Sequence, residues 1–176
     1  AMAVGNVLVN IILVGILPGV GFGMATMTLV SESLGRRDLQ LAWAWPFHAL
    51  KVAGVIIGSL CLISIIFPRA ILAPFIIDPA LRETAVLPLQ IDCFAVLFEV
   101  FALIFMNALN GADQTKTVAW ISSICQWIFY LPLAYIVTVR LGFGLNGIWL
   151  TWALFQLLQM SIFGSIWHVR MKQRTL

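Results

Sequence analysis

Two acidic residues interrupt a stretch that is otherwise free of charge. Between Thr84 and Ala112 only Asp92 and Glu99 carry one. Glu99 lies 11 residues after Pro88 and 12 before Gly111, so the spacing puts it near the middle of a membrane span. Asp92 stands one turn past Pro88 and is expected near the outer surface. The two are 7 residues apart, two turns along one helix face. Asn110 lies 11 residues beyond Glu99 and projects the same way. A charged side chain at the centre of a span costs about 2.5–3.5 kcal/mol on insertion scales, and such residues are functional candidates by default. A carboxyl group away from water favours its neutral form, and one beside a cation favours its ionised form. A single intramembrane carboxylate can therefore trade a proton for a metal ion or an organic cation, which is the chemistry of an antiporter. The structural alternative is a protonated, packed carboxyl bonded to a hydroxyl or amide.

Other polar residues recur at helical spacing. Ser122, Gln126 and Tyr130 form one stripe, and Trp152, Gln156 and Gln159 another. Either stripe lines a cavity or makes interhelical hydrogen bonds. His48 and His168 stand at span edges beside Lys51 and Arg170, where an interfacial role is expected. Cys61, Cys93 and Cys125 each sit alone in an apolar run and read as small buried hydrophobes. Residues 142–147 (GFGLNG) match G-x-G-x-x-G, but no strand precedes them, so the stretch is expected to be a tight outer turn rather than a nucleotide loop. With no zinc-protease, phosphate-loop or catalytic-triad pattern, an enzyme is not expected, and no cofactor is called for.

These residues must be positioned by membrane helices. The chain is 62% hydrophobic and 10% charged, against about 45–50% and about 25% in soluble domains. Too few polar residues exist to cover a water-facing surface, and too many apolar ones for disorder. The net charge of +3 is scattered, without the basic–aromatic stripe of a nucleic-acid surface. Charge-free runs predict an all-α protein with five spans, at about 3–31, 44–67, 86–109, 117–139 and 144–168. The segment 69–83 is too short and too rich in proline to cross, and reads as an interfacial loop with a short amphipathic piece. Pro46 suits the first turn of the second span. Pro18 should kink the first helix, and with Gly19 it marks a hinge. Gly15, Gly19 and Gly23 let another helix approach closely. Seven of the ten Lys and Arg fall on the side that holds Arg36, Lys116 and Arg170, and three on the side of Arg69. The first side, with the C-terminus, should be cytoplasmic. Trp43, Trp45, Trp120 and Trp167 near that side and Trp149 near the other read as aromatic belts.

Several stretches in order resemble the multidrug and toxic compound extrusion (MATE) transporters. Residues 21–35, from Gly21 through Ala25 to Leu34-Gly35, are similar to that family's G-x-x-x-A-x-x-x-x-V-G-Q-x-L-G stretch. Residues 109–115 (LNGADQT) are similar to its L-R-G-x-G-D-T loop, and Leu131-Pro132-Leu133-Ala134-Tyr135 with residues 142–149 (GFGLNGIW) to its L-P-L-x-Y and G-L-G-G-x-W. Here Ser31-Glu32 stands where the family has Gly-Gln, and Asn110 replaces the loop arginine.

The resemblance implies a fold of twelve helices in two lobes, of which this chain would supply helices eight to twelve, most of the C-terminal lobe. It implies export of organic, often cationic compounds, drugs or toxins, in exchange for Na⁺ or H⁺ across the cell membrane. Some members carry a carboxylate 12 residues before the loop glycine, the position of Glu99, which implies a cation-binding role there, with Na⁺ as one candidate ion. Asp92, Gln126, Tyr130 and Gln156 are the expected cavity lining. The expected partners are the lipid bilayer, a small organic substrate and an N-terminal lobe outside these residues. The chain opens on Ala1 inside an apolar run, so it is expected to be a piece of a longer protein. Two rivals are a flippase for lipid-linked sugars, which would need intramembrane Lys or Arg, and a non-transporting membrane subunit, which would not need Glu99.

Overall fold

In an apolar medium backbone N–H and C=O groups find no water, and a helix satisfies them within one segment. The computed structural model describes residues 2–76, 78–140 and 144–175, and there helices joined by short turns make up the chain. Helix α1 is Met2–Gly35, α2 Leu39–Ile66, α3 the short Pro68–Leu72, and α4 Pro79–Gly111. Helix α5, Thr115–Ile124, continues through a π-helical turn, Cys125–Tyr130, into α6, Leu131–Tyr135, and a second π stretch, Ile136–Arg140. Helix α7 is Gly144–Thr175. Among the described residues five helical stretches are long and apolar enough to cross a membrane, with 115–138 acting as one. Part of the expected turn at 142–147 lies outside the described residues.

Two connections share one geometry. Asp38 N–H donates to the Ser33 carbonyl (2.9 Å) and Arg37 N–H to that of Leu34 (3.0 Å). Gln114 N–H donates to Leu109 (3.0 Å) and Asp113 N–H to Asn110 (3.1 Å). Both are Schellman endings, with Arg37 (φ 61°) and Asp113 (φ 63°) in the left-handed position.

Two expectations at helix starts need correction. Pro46 is buried inside α2 rather than in its first turn, because Asp38 caps the helix further upstream, its Oδ1 accepting from Leu41 N–H at 3.0 Å. The loop drawn over 69–83 ends at Asp78. Its Oδ1 accepts from Ala80 N–H (3.0 Å), and Pro79 opens α4. Arg69 donates from Nε and Nη2 to both oxygens of Glu83 (3.1 and 2.8 Å), tying α3 to that first turn. Those hydrogen bonds, and then the Glu83 charge, raise the exposed Arg69 guanidinium above its ordinary pKa.

Helix α4 is the centre. It packs against α1, α2, α3, α5 and α7, and half of its span is buried, against 6% of the span over 115–138. One cluster (Val30, Phe105, Leu109, Phe163, Trp167) packs at the end with the two Schellman turns. Another (Ile57, Val96, Val100, Ile104) fills the middle, and a third (Leu72, Ile76, Leu89) the α3 end. The glycine stripe of α1 meets this helix. A Cβ on Gly15 would stand 3.1 Å from Val96, and one on Gly19 would overlap Val100. A Cβ on Gly111 would overlap the Met27 carbonyl. Trp167 is fully buried in the core rather than at a belt, whereas Trp43 and Trp120 are exposed as a belt requires. Pro132 lies between the π stretches. It has no N–H for the bond to Ile128, and wider turns on either side absorb the change of register.

Candidate functional site

Helix α4 presents its two carboxylates to different neighbours. Glu99 opens into a cavity of about 310 Å³ bounded by Leu13 and Ile16 of α1, Tyr130 of the π turn, and Trp149 and Trp152 of α7. The polar groups of Gln156 and Trp152 face the Glu99 carboxyl. Gln156 is buried, at 3% exposure, so its amide has little choice of partner. The second oxygen, Glu99 Oε2, is buried with no hydrogen-bond partner, and so is Trp149 Nε1. The rings of Tyr130 and Trp152 meet edge to face, with centroids 5.5 Å apart, and Tyr130 also lies 5.0 Å from Phe155. The arrangement is one carboxylate with an unpartnered oxygen, an amide and an indole that face it, and aromatic residues in the walls. It can hold a cation by charge and by cation–π attraction.

Asp92 is placed elsewhere. It is buried, at 2% exposure, and its Oδ1 has no partner. It lines a groove of about 500 Å³ between α1, α2, α3 and α4, with Gly15, Ile57, Cys61, Ile71 and Phe75 among the walls. Cys61 Sγ–H donates to the Cys93 carbonyl at 3.3 Å across α2 and α4. The 7-residue spacing thus keeps both carboxylates on α4 without giving them a shared cavity.

Of the other expected lining residues, Tyr130 lines the Glu99 cavity and Gln156 faces its carboxyl. Gln126 is half-buried and borders neither space. Pro18 lies within the unbroken helix α1, and Gly19 is packed on Val100. Sequence reasoning missed Trp149, read as an interfacial belt residue. Its place three residues before Trp152 and seven before Gln156, on one helix face, was the available signal. No signal announced the meeting of Cys61 and Cys93, which are 32 residues apart.

Comparison with known proteins adds four findings. The sequence model of the MatE family matches residues 1–136. The chain is 28% identical over 142 residues to the uncharacterized transporter YisQ of Bacillus subtilis, covering 81% of this chain and 31% of that protein. It is 26% identical over 159 residues to the probable multidrug resistance protein NorM of Pseudomonas aeruginosa, covering 85% of this chain and 32% of that one. The fold superposes with a TM-score of 0.86 on an inward-facing multidrug resistance MATE family transporter of the MOP superfamily, at 16% identity, over 97% of this chain and 39% of that one. The chain therefore spans about a third of the length of the curated relatives it matches.

Proposed function

The chain belongs to the MatE family, and on that premise we propose that it forms part of a secondary antiporter that exports small organic compounds in exchange for Na⁺ or H⁺. Glu99 holds the coupling ion. The observation that carries this reading is the buried, unpartnered Glu99 Oε2 in a cavity walled by Tyr130, Trp149 and Trp152. A proton on that oxygen satisfies it in one state, and a cation beside it does so in the other. The two states exclude one another, as exchange requires. Gln156 and Trp152 face the carboxyl, and the unpartnered Oε2 is the exchanging atom.

The five spans stand for helices eight to twelve of a two-lobe transporter, and the missing walls of the pathway come from the other lobe. Alternating access needs two such halves moving against each other, and Pro18 with Gly19 is the hinge by which α1 would follow. The excess of Lys and Arg at the end with the Schellman turns supports a cytoplasmic placement of that end and of the C-terminus. The name of the Pseudomonas aeruginosa relative, a probable multidrug resistance protein, supports drugs or toxins as the exported class.

The test is ethidium efflux driven by an imposed Na⁺ or H⁺ gradient, in vesicles carrying the protein expressed from its complete gene. Glu99→Gln keeps the shape and removes the charge. It should reduce gradient-driven efflux at least about tenfold at unchanged protein level, equivalent to about 1.4 kcal/mol or more. Efflux at the wild-type rate in this variant would reject Glu99 as the coupling residue.

A further inference from the structure

The groove at Asp92 is not used by that reading. Besides Asp92, its polar groups are the Asn10 amide, the Cys61 and Cys93 thiols and the Ser64 hydroxyl. The Cys61 thiol is committed to the Cys93 carbonyl, and the Ser64 hydroxyl to the Leu60 carbonyl at 2.9 Å. Among the described residues no Lys, Arg or His lines it. The Asp92 Oδ1 is left buried and unpartnered beside a space whose remaining walls are mostly aliphatic and aromatic. An ionised carboxylate in such surroundings demands a cation. The volume of about 500 Å³ lies within the roughly 300–1,000 Å³ of small-molecule pockets. A bare metal ion would leave nearly all of it unfilled, and a second positive charge on the ligand would find no second carboxylate in the lining.

We propose that this groove is a second binding site, separate from the Glu99 cavity, for an amphiphilic organic monocation. Its apolar body lies against Ile57, Ile71, Phe75 and Val96, and its charged centre sits at the Asp92 carboxylate. Helix α1 forms a wall of both spaces, through Gly15 here and Ile16 at Glu99.

The thiols supply the readout. Cys61 lines the groove, whereas Cys125 lies on the π turn, outside it. The protein, expressed from its complete gene and reconstituted in lipid nanodiscs, is treated with N-ethylmaleimide, and labelling is followed at each cysteine by mass spectrometry. Tetraphenylphosphonium should slow labelling of Cys61 several-fold and leave Cys125 unchanged. Uncharged triphenylphosphine oxide of similar size should not protect. Asp92→Asn should weaken the protecting concentration about tenfold, as loss of one close charge pair predicts, and Glu99→Gln should leave it unchanged. If Asp92→Asn does not fold, the wild-type protein still decides. Modification of Asp92 by dicyclohexylcarbodiimide should be slowed by tetraphenylphosphonium. Absence of protection, as when another helix fills the groove, overturns the proposal. So does equal protection by the neutral analogue, unslowed carbodiimide modification of Asp92, or loss of protection in Glu99→Gln, which would assign the cation to the other cavity. The role of Glu99 stands or falls separately, on the efflux assay.

Discussion

Asp92 and Glu99 occupy the same helix two turns apart, and their surroundings have little in common. Glu99 meets an amide, an indole and a cluster of rings from α7 and the π turn. Asp92 borders a groove of mostly aliphatic side chains with two thiols, the Ser64 hydroxyl, the Asn10 amide and the Phe75 ring. Each keeps one oxygen buried and unpartnered, but the space beside Asp92 is the larger. The contrast shows that helical phase places a carboxylate on a face, while the neighbouring helices decide what it can bind. Groups that can orient an oxygen surround Glu99, which suits a small ion. A roomy apolar groove surrounds Asp92, which suits an organic body.

The comparison can be broken most severely by removing one charge at a time. Glu99→Gln should abolish most gradient-driven efflux, whereas Asp92→Asn should raise the concentration of organic cation needed for half-maximal efflux and leave the ion dependence in place. Identical phenotypes would merge the two cavities into one functional site.

A smaller effect is expected where the cavities share a wall. A side chain at Gly19 must displace Val100. Gly19→Leu should cost about 1–3 kcal/mol of stability, typical of overpacking, read as a lower melting temperature in detergent. Because α1 borders both cavities, both Cys61 protection and ion-driven efflux should suffer together. A loss confined to one of them would show that α1 is not the common wall.

Gln156→Leu should act on one side only. It removes the buried amide that faces Glu99 and should weaken the hold on the coupling ion by about 1.5 kcal/mol, roughly tenfold. The apparent ion affinity of transport measures this, and protection of Cys61 should not change.

The smallest change is a control far from both cavities. Arg37 is held at φ 61°, a conformation that costs a residue with a Cβ about 1–2 kcal/mol. Arg37→Gly should raise stability by less than about 1 kcal/mol, since glycine also gains entropy in the unfolded chain. A melting curve detects this, and both binding readouts should stay as they are.

Much of the fold was legible in advance because membrane helices are specified locally. Charge-free runs mark the spans, and the boundaries shifted where a capping group lay outside the apolar stretch. Asp38 moved Pro46 into the interior of α2, and Asp78 began α4 before its apolar run. The glycine stripe at 15, 19 and 23 announced a close helix contact without naming α4 as the partner. Of the site, Glu99 stood out as the charge deepest in a span, and Tyr130 and Gln156 as members of polar stripes. Gln126 shares the stripe of Tyr130 but borders neither cavity, because the π turn from Cys125 to Tyr130 departs from the 3.6-residue repeat on which that stripe was drawn. Trp149 and Trp167 were misread for another reason. Interfacial and buried indoles look alike along a sequence, and only packing separates them.

The amino-acid sequence by itself determined that this chain crosses a membrane with five helices, that Asp92 and Glu99 lie within one of them, and which family its motifs resemble. These are consequences of composition, period and order. The tertiary structure alone decided that the two carboxylates face separate cavities, that Tyr130, Trp149 and Trp152 gather around Glu99, and that Cys61 meets Cys93. Each of these depends on which helices pack against α4, through contacts between residues far apart in the chain. Periodicity within one segment carries no information about the partner segment that closes a cavity.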